Sequence, residues 1–309
     1  MTLIQQVINK AMVFALSRTG AKPLVLPQSK EFRELFELVS RLKANDLTYN
    51  LEEVFLNTYS HFAPCSFMEI YENEHISASV FTVRGRREIP LHDHPNMVGI
   101  LKVIHGQVRI VSYSYLTELQ RAQLMEEWKT KSDGKRIGKL FKQSVNRYEE
   151  QLVLPVIQHD ERILTANDPP TVLTPTEYNI HRVQALNDDA AFVDILTPPY
   201  YPSIPNRDCH YFQTLEPKEA LYVPASASTI SVLRHFLNEE ENDGKSDVTS
   251  SLPRQPSPAS SSQSSKVNVG WLIRIPPPRT YFCDTVAYRG PMIKSMTETE
   301  LRDFAKKNF

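Results

Sequence analysis

IPLHDHPNMVGILKVIHGQV, residues 89–108, sets His92 and His94 either side of one aspartate, then runs through apolar residues to His105 and Gly106. In an extended segment, residues two apart share a face, so both imidazoles point the same way. They lie ~7 Å apart along the backbone on the strand rise, within reach of one ion. Gly85 stands seven residues before His92, and Pro95 stiffens the exit. His105-Gly106 reads as a hairpin turn between two strands.

The surrounding sequence has the same texture. From residue 66, short runs rich in Val, Ile, Phe and Tyr are broken by turn residues: ISASVFTV (76–83), GILKVIHG (99–106), QVRIVSYSY (107–115), AAFVDILTPPY (190–200) and HYFQTLEP (210–217). Strands at this density predict a mainly β domain, a sandwich or barrel of antiparallel strands. Helical periodicity is confined to the ends. Leu3, Ile4, Val7, Ile8, Met12 and Leu16 make one apolar face. Phe32, Leu35, Phe36, Val39 and Leu42 make another, with Ser29 as N-cap. Asn50 with Glu53, and Thr297 with Glu300, have capping-box spacing.

Two segments depart from this pattern. Residues 116–150 are charged and partly helical in period, an excursion between strands. Residues 242–268 are rich in Ser and Pro and are expected to be disordered. Strand-like sequence resumes beyond them, so the expectation is a single domain over 1–309 carrying two insertions, without internal repeats.

Composition narrows the partners. With a net charge of -1, the chain has no electrostatic signature for nucleic acid or an anionic membrane. No run approaches the ~18 apolar residues that span a bilayer. Three widely spaced cysteines argue against a disulfide framework and fit a reducing compartment, the cytoplasm with the nucleus as an extension of it. The N-terminus has no acid before Glu31 and could be read as a mitochondrial presequence, but its Arg and Ser are few and the amphipathic helix is the preferred reading. A monomer is expected.

The pattern Gly-x(6)-His-x-His-x(11)-Gly resembles the first motif of the cupins, double-stranded β-helix barrels. Their usual glutamate shortly after the second histidine is missing here, where Asn96 to Gly99 fill the region. Asp93 points to the opposite face and is a poor substitute, so it reads as a bystander. A third ligand must come from His61, His75, His105, His159, His181, His210 or His235. His181 is the best of these, at the start of a strand-like run after a turn-rich segment. Three neutral imidazoles suit Zn(II), Cu(II) or Fe(II) on ligand type. They leave the ion its full charge, which favours an anionic ligand such as a thiolate.

IPLHDHPNMVGILKVIHGQVRI (89–110), LTPTEYNIHRV (173–183), AAFVDILTPPY (190–200), RDCHYFQTLEP (207–217) and FCDTVAYRGP (282–291) together resemble the thiol dioxygenase family of the 2-aminoethanethiol dioxygenases and plant cysteine oxidases. LIQQVINKAMVFALSRTG (3–20) and SRLKANDL (40–47) are similar to its animal members. The resemblance implies one Fe(II) per chain on His92, His94 and His181, with O2 as co-substrate. It implies oxidation of cysteamine, or of the N-terminal cysteine of proteins and peptides, to a sulfinic acid, the latter tied to oxygen sensing through N-degron signalling. It further implies that Asp194 is a buried acid near the iron, bonded to a ligating histidine or to the substrate amine. Cys209 and Tyr211 match a pair that can become a thioether crosslink, and Tyr200 lines the pocket. His210, on the face opposite Cys209 and Tyr211, is excluded as a ligand. The competing readings are a non-enzymatic ligand-binding cupin, which has no use for Asp194, Cys209 and Tyr211, and a three-histidine Zn hydrolase, which lacks a nearby general-base glutamate.

Overall fold

The computed structural model describes residues 1–18, 29–58, 62–120, 122–123, 153–204, 207–214, 268–297, 299–301 and 303–304. Most of the charged excursion and nearly all of the Ser/Pro-rich stretch lie outside them, so the disorder expected of the latter concerns residues not described. The chain divides into two compact units. One comprises Met1–Tyr115, Gln158–Phe212 and Ile275–Phe309; the other comprises Leu116–Ile157 and Gln213–Arg274.

In the first unit, helix α1 (Leu3–Ser17) starts where the Thr2 hydroxyl accepts from the Gln5 amide, and α2 (Lys30–Ser40) where Ser29 Oγ accepts from Phe32 N. Asn50 caps α3 (Leu51–Leu56) through the amides of Glu52 and Glu53. Ile4, Val7, Ile8 and Met12 are buried as the periodicity predicts, whereas on α2 Leu38 is buried and Phe36 only partly so. Thr297 and Glu300 form the expected reciprocal cap near the C-terminus. Among the described residues, no helix is long and apolar enough to cross a membrane.

The strands are β1 (Cys65–Glu72), β2 (Ser77–Val83), β3 (Glu88–His92), β4 (Val98–His105), β5 (Gln107–Tyr115), β6 (Val153–Gln158), β7 (Arg162–Thr165), β8 (Thr171–Leu173), β9 (Ile180–Ala185), β10 (Ala190–Thr197), β11 (Tyr211–Thr214), β12 (Val269–Ile275) and β13 (Cys283–Thr285). In the first unit they make two sheets, ordered β13-β1-β2-β10-β4-β8 and β11-β3-β9-β5-β7. The pairing is antiparallel except between β1 and β13. This is the mainly β architecture of antiparallel strands that the strand density predicts. In the second unit β6 and β12 pair antiparallel, Val269 opposite Ile157 and Ile273 opposite Val153.

Strand alternation gives the first sheet two different faces. Ala78 and Val80 of β2, with Ala191, Val193 and Ile195 of β10, join α1 and α2 in an outer core. Val83, Ala190 and Phe192, one residue out of phase, face the barrel interior with Leu101, Val108, Ile110 and Val183. Ser77, Ser79 and Asp194 have the interior parity, so β2 carries two polar residues and β10 one into a largely apolar space.

The turn at Gly106 is not a hairpin. β4 pairs with β10 and β8, while β5 pairs with β9 and β7, so Gly106 carries the chain from one sheet to the other. Its φ of +67° is in the glycine-favouring region, and a Cβ there would lie 2.4 Å from the Asp189 carbonyl oxygen. Gly85 packs against the same β9–β10 turn, where a Cβ would meet Asn187 O at 2.7 Å. Both glycines of the motif therefore secure the end of β9 away from His181.

Candidate metal centre and substrate cavity

The histidines gather at the other end of β9. His92 closes β3 and sits directly opposite His181 in the β3–β9 pair. The register shifts between Ile89 and His92, across Pro90, so these residues of opposite parity both line the same interior cavity. A bulge of this kind re-aims a side chain. His94 follows beyond the strand, in a turn where Asn96 takes a φ of 59°. Ring centroids are 4.7 Å apart for His92–His94, 5.0 Å for His92–His181 and 4.7 Å for His94–His181. One candidate ligand atom from each ring lies within 4.8 Å of the other two.

The hydrogen bonds of two rings settle their tautomers. His92 Nδ1 lies 2.7 Å from Pro90 O, and His94 Nδ1 lies 3.0 Å from Asn179 O. A carbonyl oxygen only accepts, so each Nδ1 carries the proton and each Nε2 presents a lone pair. Burial pushes all three imidazoles below their ordinary pKa, His94 and His181 well below, with the other histidines adding repulsion for those two. Neutral rings converging in a buried pocket, two of them with a free Nε2, are the donor set a divalent transition metal takes.

Asn179 gave no signal in the sequence. It is fully buried, its Oδ1 accepts from the His94 amide, and its Nδ2 donates to His94 O at 2.8 Å and Thr174 O at 2.6 Å. With its own carbonyl on the His94 ring, one asparagine fixes both backbone and side chain of that histidine.

Asp93 is not part of the cavity that the three histidines line, but it is no bystander. It is 3% exposed; Oδ1 accepts from His210 N at 2.8 Å, and Oδ2 pairs with His210 Nδ1 at 2.9 Å and accepts from Tyr115 Oη. Its carbonyl accepts from the Tyr200 hydroxyl, and its amide donates to His210 O. Asp93 thus ties the segment carrying Cys209 and Tyr211 to the His-x-His turn, and His210 serves this tie.

A cavity of about 340 Å³ opens on the three rings. β3 and β9 contribute His92, His181, Ile89 and Val183 to its lining, the turn after β3 contributes His94, and the sheet of β2 and β10 contributes Ser77, Ser79, Phe81, Phe192 and Asp194. Asp194 and Ser79 are register partners on neighbouring strands. Both are buried, and Asp194 Oδ1 and Ser79 Oγ have no hydrogen-bond partner. Burial raises the Asp194 carboxyl to about 7. The Asp194 side chain makes no hydrogen bond to the three rings, two of which already spend their far nitrogens on carbonyls. Ser79 has no signature in the sequence; only its pairing with Asp194 marks it.

Tyr200, Cys209, Tyr211 and Tyr281 also line the cavity, with Phe67, Glu72 and Leu196. The Tyr200 ring is 5.6 Å from His94 and the Tyr211 ring 6.4 Å from His92. The Cys209 thiol is hydrogen-bonded to Tyr200 and Tyr211, and burial pushes it up to about 12.

The chain also has relatives. It is 32% identical to the 2-aminoethanethiol dioxygenase of Mus musculus over 220 residues, 70% of this chain and 81% of that one. It is 29% identical to the 2-aminoethanethiol dioxygenase of Homo sapiens over 288 residues, 90% and 88% of the two chains. Plant cysteine oxidase 1 of Arabidopsis thaliana is 24% identical over 196 residues, 62% of this chain and 57% of that one. A family profile described as PCO_ADO matches residues 38–293, a span that holds the histidine cluster and every cavity-lining residue named above. The chain therefore belongs to the PCO_ADO family.

Proposed function

We propose that this protein is an Fe(II)-dependent thiol dioxygenase that converts an aminothiol, R–SH + O2, to the sulfinic acid R–SO2H, with one iron per chain on His92, His94 and His181. The observation that carries the reading is a cavity with two unlike walls. One presents three neutral imidazoles; the other presents two buried oxygens without partners. Family membership supports the reaction class, and the relatives' names supply the substrates, 2-aminoethanethiol and cysteine, the latter here at the N-terminus of a protein or peptide. His92, His94 and His181 would hold the iron, which would supply a Lewis-acidic centre for thiolate and O2 chemistry.

The chain's own residues do the rest. An all-neutral ligand set leaves the metal charge for the substrate thiolate to offset. The substrate amine, two carbons from the sulfur, donates to Asp194 Oδ1, and Ser79 Oγ accepts a second N–H. An ammonium at this point holds Asp194 ionised, against the burial that otherwise raises it. Tyr200 and Tyr211 wall the cavity beside the three histidines, and the Cys209–Tyr211 hydrogen bond sets the thiol next to the ring whose carbon a thioether crosslink would use. Oxidation of N-terminal cysteines would make the protein an oxygen sensor acting through N-degron signalling. Three widely spaced cysteines and a net charge of -1 support a cytoplasmic or nuclear protein with no nucleic-acid or membrane partner, and we take it to act as a monomer.

The test is O2 uptake by anaerobically iron-loaded protein given cysteamine, a peptide starting with cysteine, or 2-mercaptoethanol, which lacks the amine. Cysteamine or the peptide should consume O2 in equal amount to thiol, and 2-mercaptoethanol far more slowly. No uptake with either aminothiol, in protein confirmed to hold iron, overturns the proposal.

A further inference from the structure

The remaining two cysteines form a cluster of their own. Cys65 opens β1, Cys283 opens β13, and the two are register partners in the parallel pair at the sheet edge. Their thiols are hydrogen-bonded to each other, and the Tyr281 hydroxyl lies 3.2 Å from Cys283 Sγ. Tyr281 lines the substrate cavity, its ring 6.1 Å from that of Tyr211. Some 217 residues separate these cysteines in sequence (283 − 65 − 1), which is why spacing alone does not pair them.

We propose that Cys65 and Cys283 are a reversible disulfide site on the wall of the substrate cavity, oxidised by low-molecular-weight disulfides. Directly paired strand residues fall within the Cα separation that a disulfide requires, about 4.4–6.8 Å. β13 is a three-residue edge strand, paired on one side only, so it can shift to meet the S–S geometry. The two thiols are unequally placed. Cys65 is fully buried, whereas Cys283 is partly exposed and receives hydrogen bonds from both Cys65 and Tyr281, which favour its thiolate. Cys283 is therefore the attacking sulfur and Cys65 the resolving one.

With oxidised glutathione the steps balance. The Cys283 thiolate attacks one glutathione sulfur, forming a mixed disulfide and releasing one glutathione thiolate. Cys65, losing its proton, displaces the second glutathione from Cys283. The two protein thiols are oxidised to one disulfide, the glutathione disulfide is reduced to two thiols, and the two thiol protons end on glutathione. Cys283 then no longer offers a thiolate to the Tyr281 hydroxyl, so the event is registered at the cavity wall.

The experiment equilibrates the native full-length protein in glutathione buffers of increasing oxidised fraction, blocks free thiols and maps peptides by mass. The expected product is a Cys65–Cys283 linkage, lighter by two hydrogens than the separate peptides and reversed by dithiothreitol. In Cys65→Ser the resolving thiol is gone, so glutathione should remain on Cys283. In Cys283→Ser the buried Cys65 should stay free, and this variant carries the test alone if Cys65→Ser does not fold. A native protein that keeps both thiols free under oxidising buffer overturns the proposal, as does linkage through Cys209 instead.

Discussion

The two walls of the cavity are built on opposite principles. On the β3–β9 side, two of the clustered histidines have a ring nitrogen bonded to a carbonyl, and Asn179 and Asp93 hold the intervening loop. On the β2–β10 side, Ser79 and Asp194 are just as buried but keep an unpartnered oxygen each. An unpaired buried polar group costs roughly 1–3 kcal/mol. On the proposed function, the satisfied wall is the permanent ligand set and the unsatisfied one receives a group that arrives with the substrate.

The most severe way to break this contrast is to remove a ring from the satisfied wall. His181→Ala should lose both iron and turnover below detection, measured by metal analysis and O2 uptake; a variant keeping stoichiometric iron removes His181 from the ligand set. Asp194→Asn should keep its iron and lose about 10–100-fold in kcat/KM for cysteamine, the weight of one charge-assisted hydrogen bond of about 1.5–3 kcal/mol. It should leave the slow rate with 2-mercaptoethanol nearly unchanged, and an equal loss on both thiols would show that Asp194 does not bind the amine. Asn179→Ala loosens His94 without touching the metal and should weaken iron binding about 10–100-fold, readable as iron retained against a chelator. Ser79→Ala should be mildest, raising KM for cysteamine about fivefold, roughly the 1 kcal/mol of one neutral hydrogen bond.

Asp194 also predicts a pH dependence. Its folded pKa, about 7, lies above the ordinary value of 3.8. Between these values the folded state binds more protons than the unfolded one, so metal-free protein loses stability as pH rises from about 4 to 7, by up to about 4 kcal/mol. Asp194→Asn should abolish this term and raise Tm at pH 8 relative to wild type, with little difference at pH 4. A Tm difference independent of pH would contradict the raised pKa.

The comparison also separates what the sequence reveals from what it hides. His92 and His94 are legible because period-2 alternation is local, and the missing glutamate points to a distant third histidine. Yet the parity that aims His92 inward depends on a bulge at Pro90, which alternation alone does not disclose. Gly106 is legible as a turn but not as a change of sheet, since a glycine states its backbone angle and not its strand's partner. Asp93 reads as surplus because its partners, Tyr115, Tyr200 and His210, come from three other segments. Asn179 and Ser79 are invisible for the same reason: each acts through one long-range contact. The resemblance to thiol dioxygenases supplied Asp194, Cys209 and Tyr211, which chemistry alone would have left as an ordinary acid and two core residues.

The most direct measurement of the central claim is the mass of the product formed under oxygen-18 gas by iron-loaded protein and a peptide starting with cysteine. The account predicts a sulfinic acid at that cysteine carrying two labelled oxygens from one molecule of O2. A disulfide-linked peptide, or a product with one or no labelled oxygen, would contradict it.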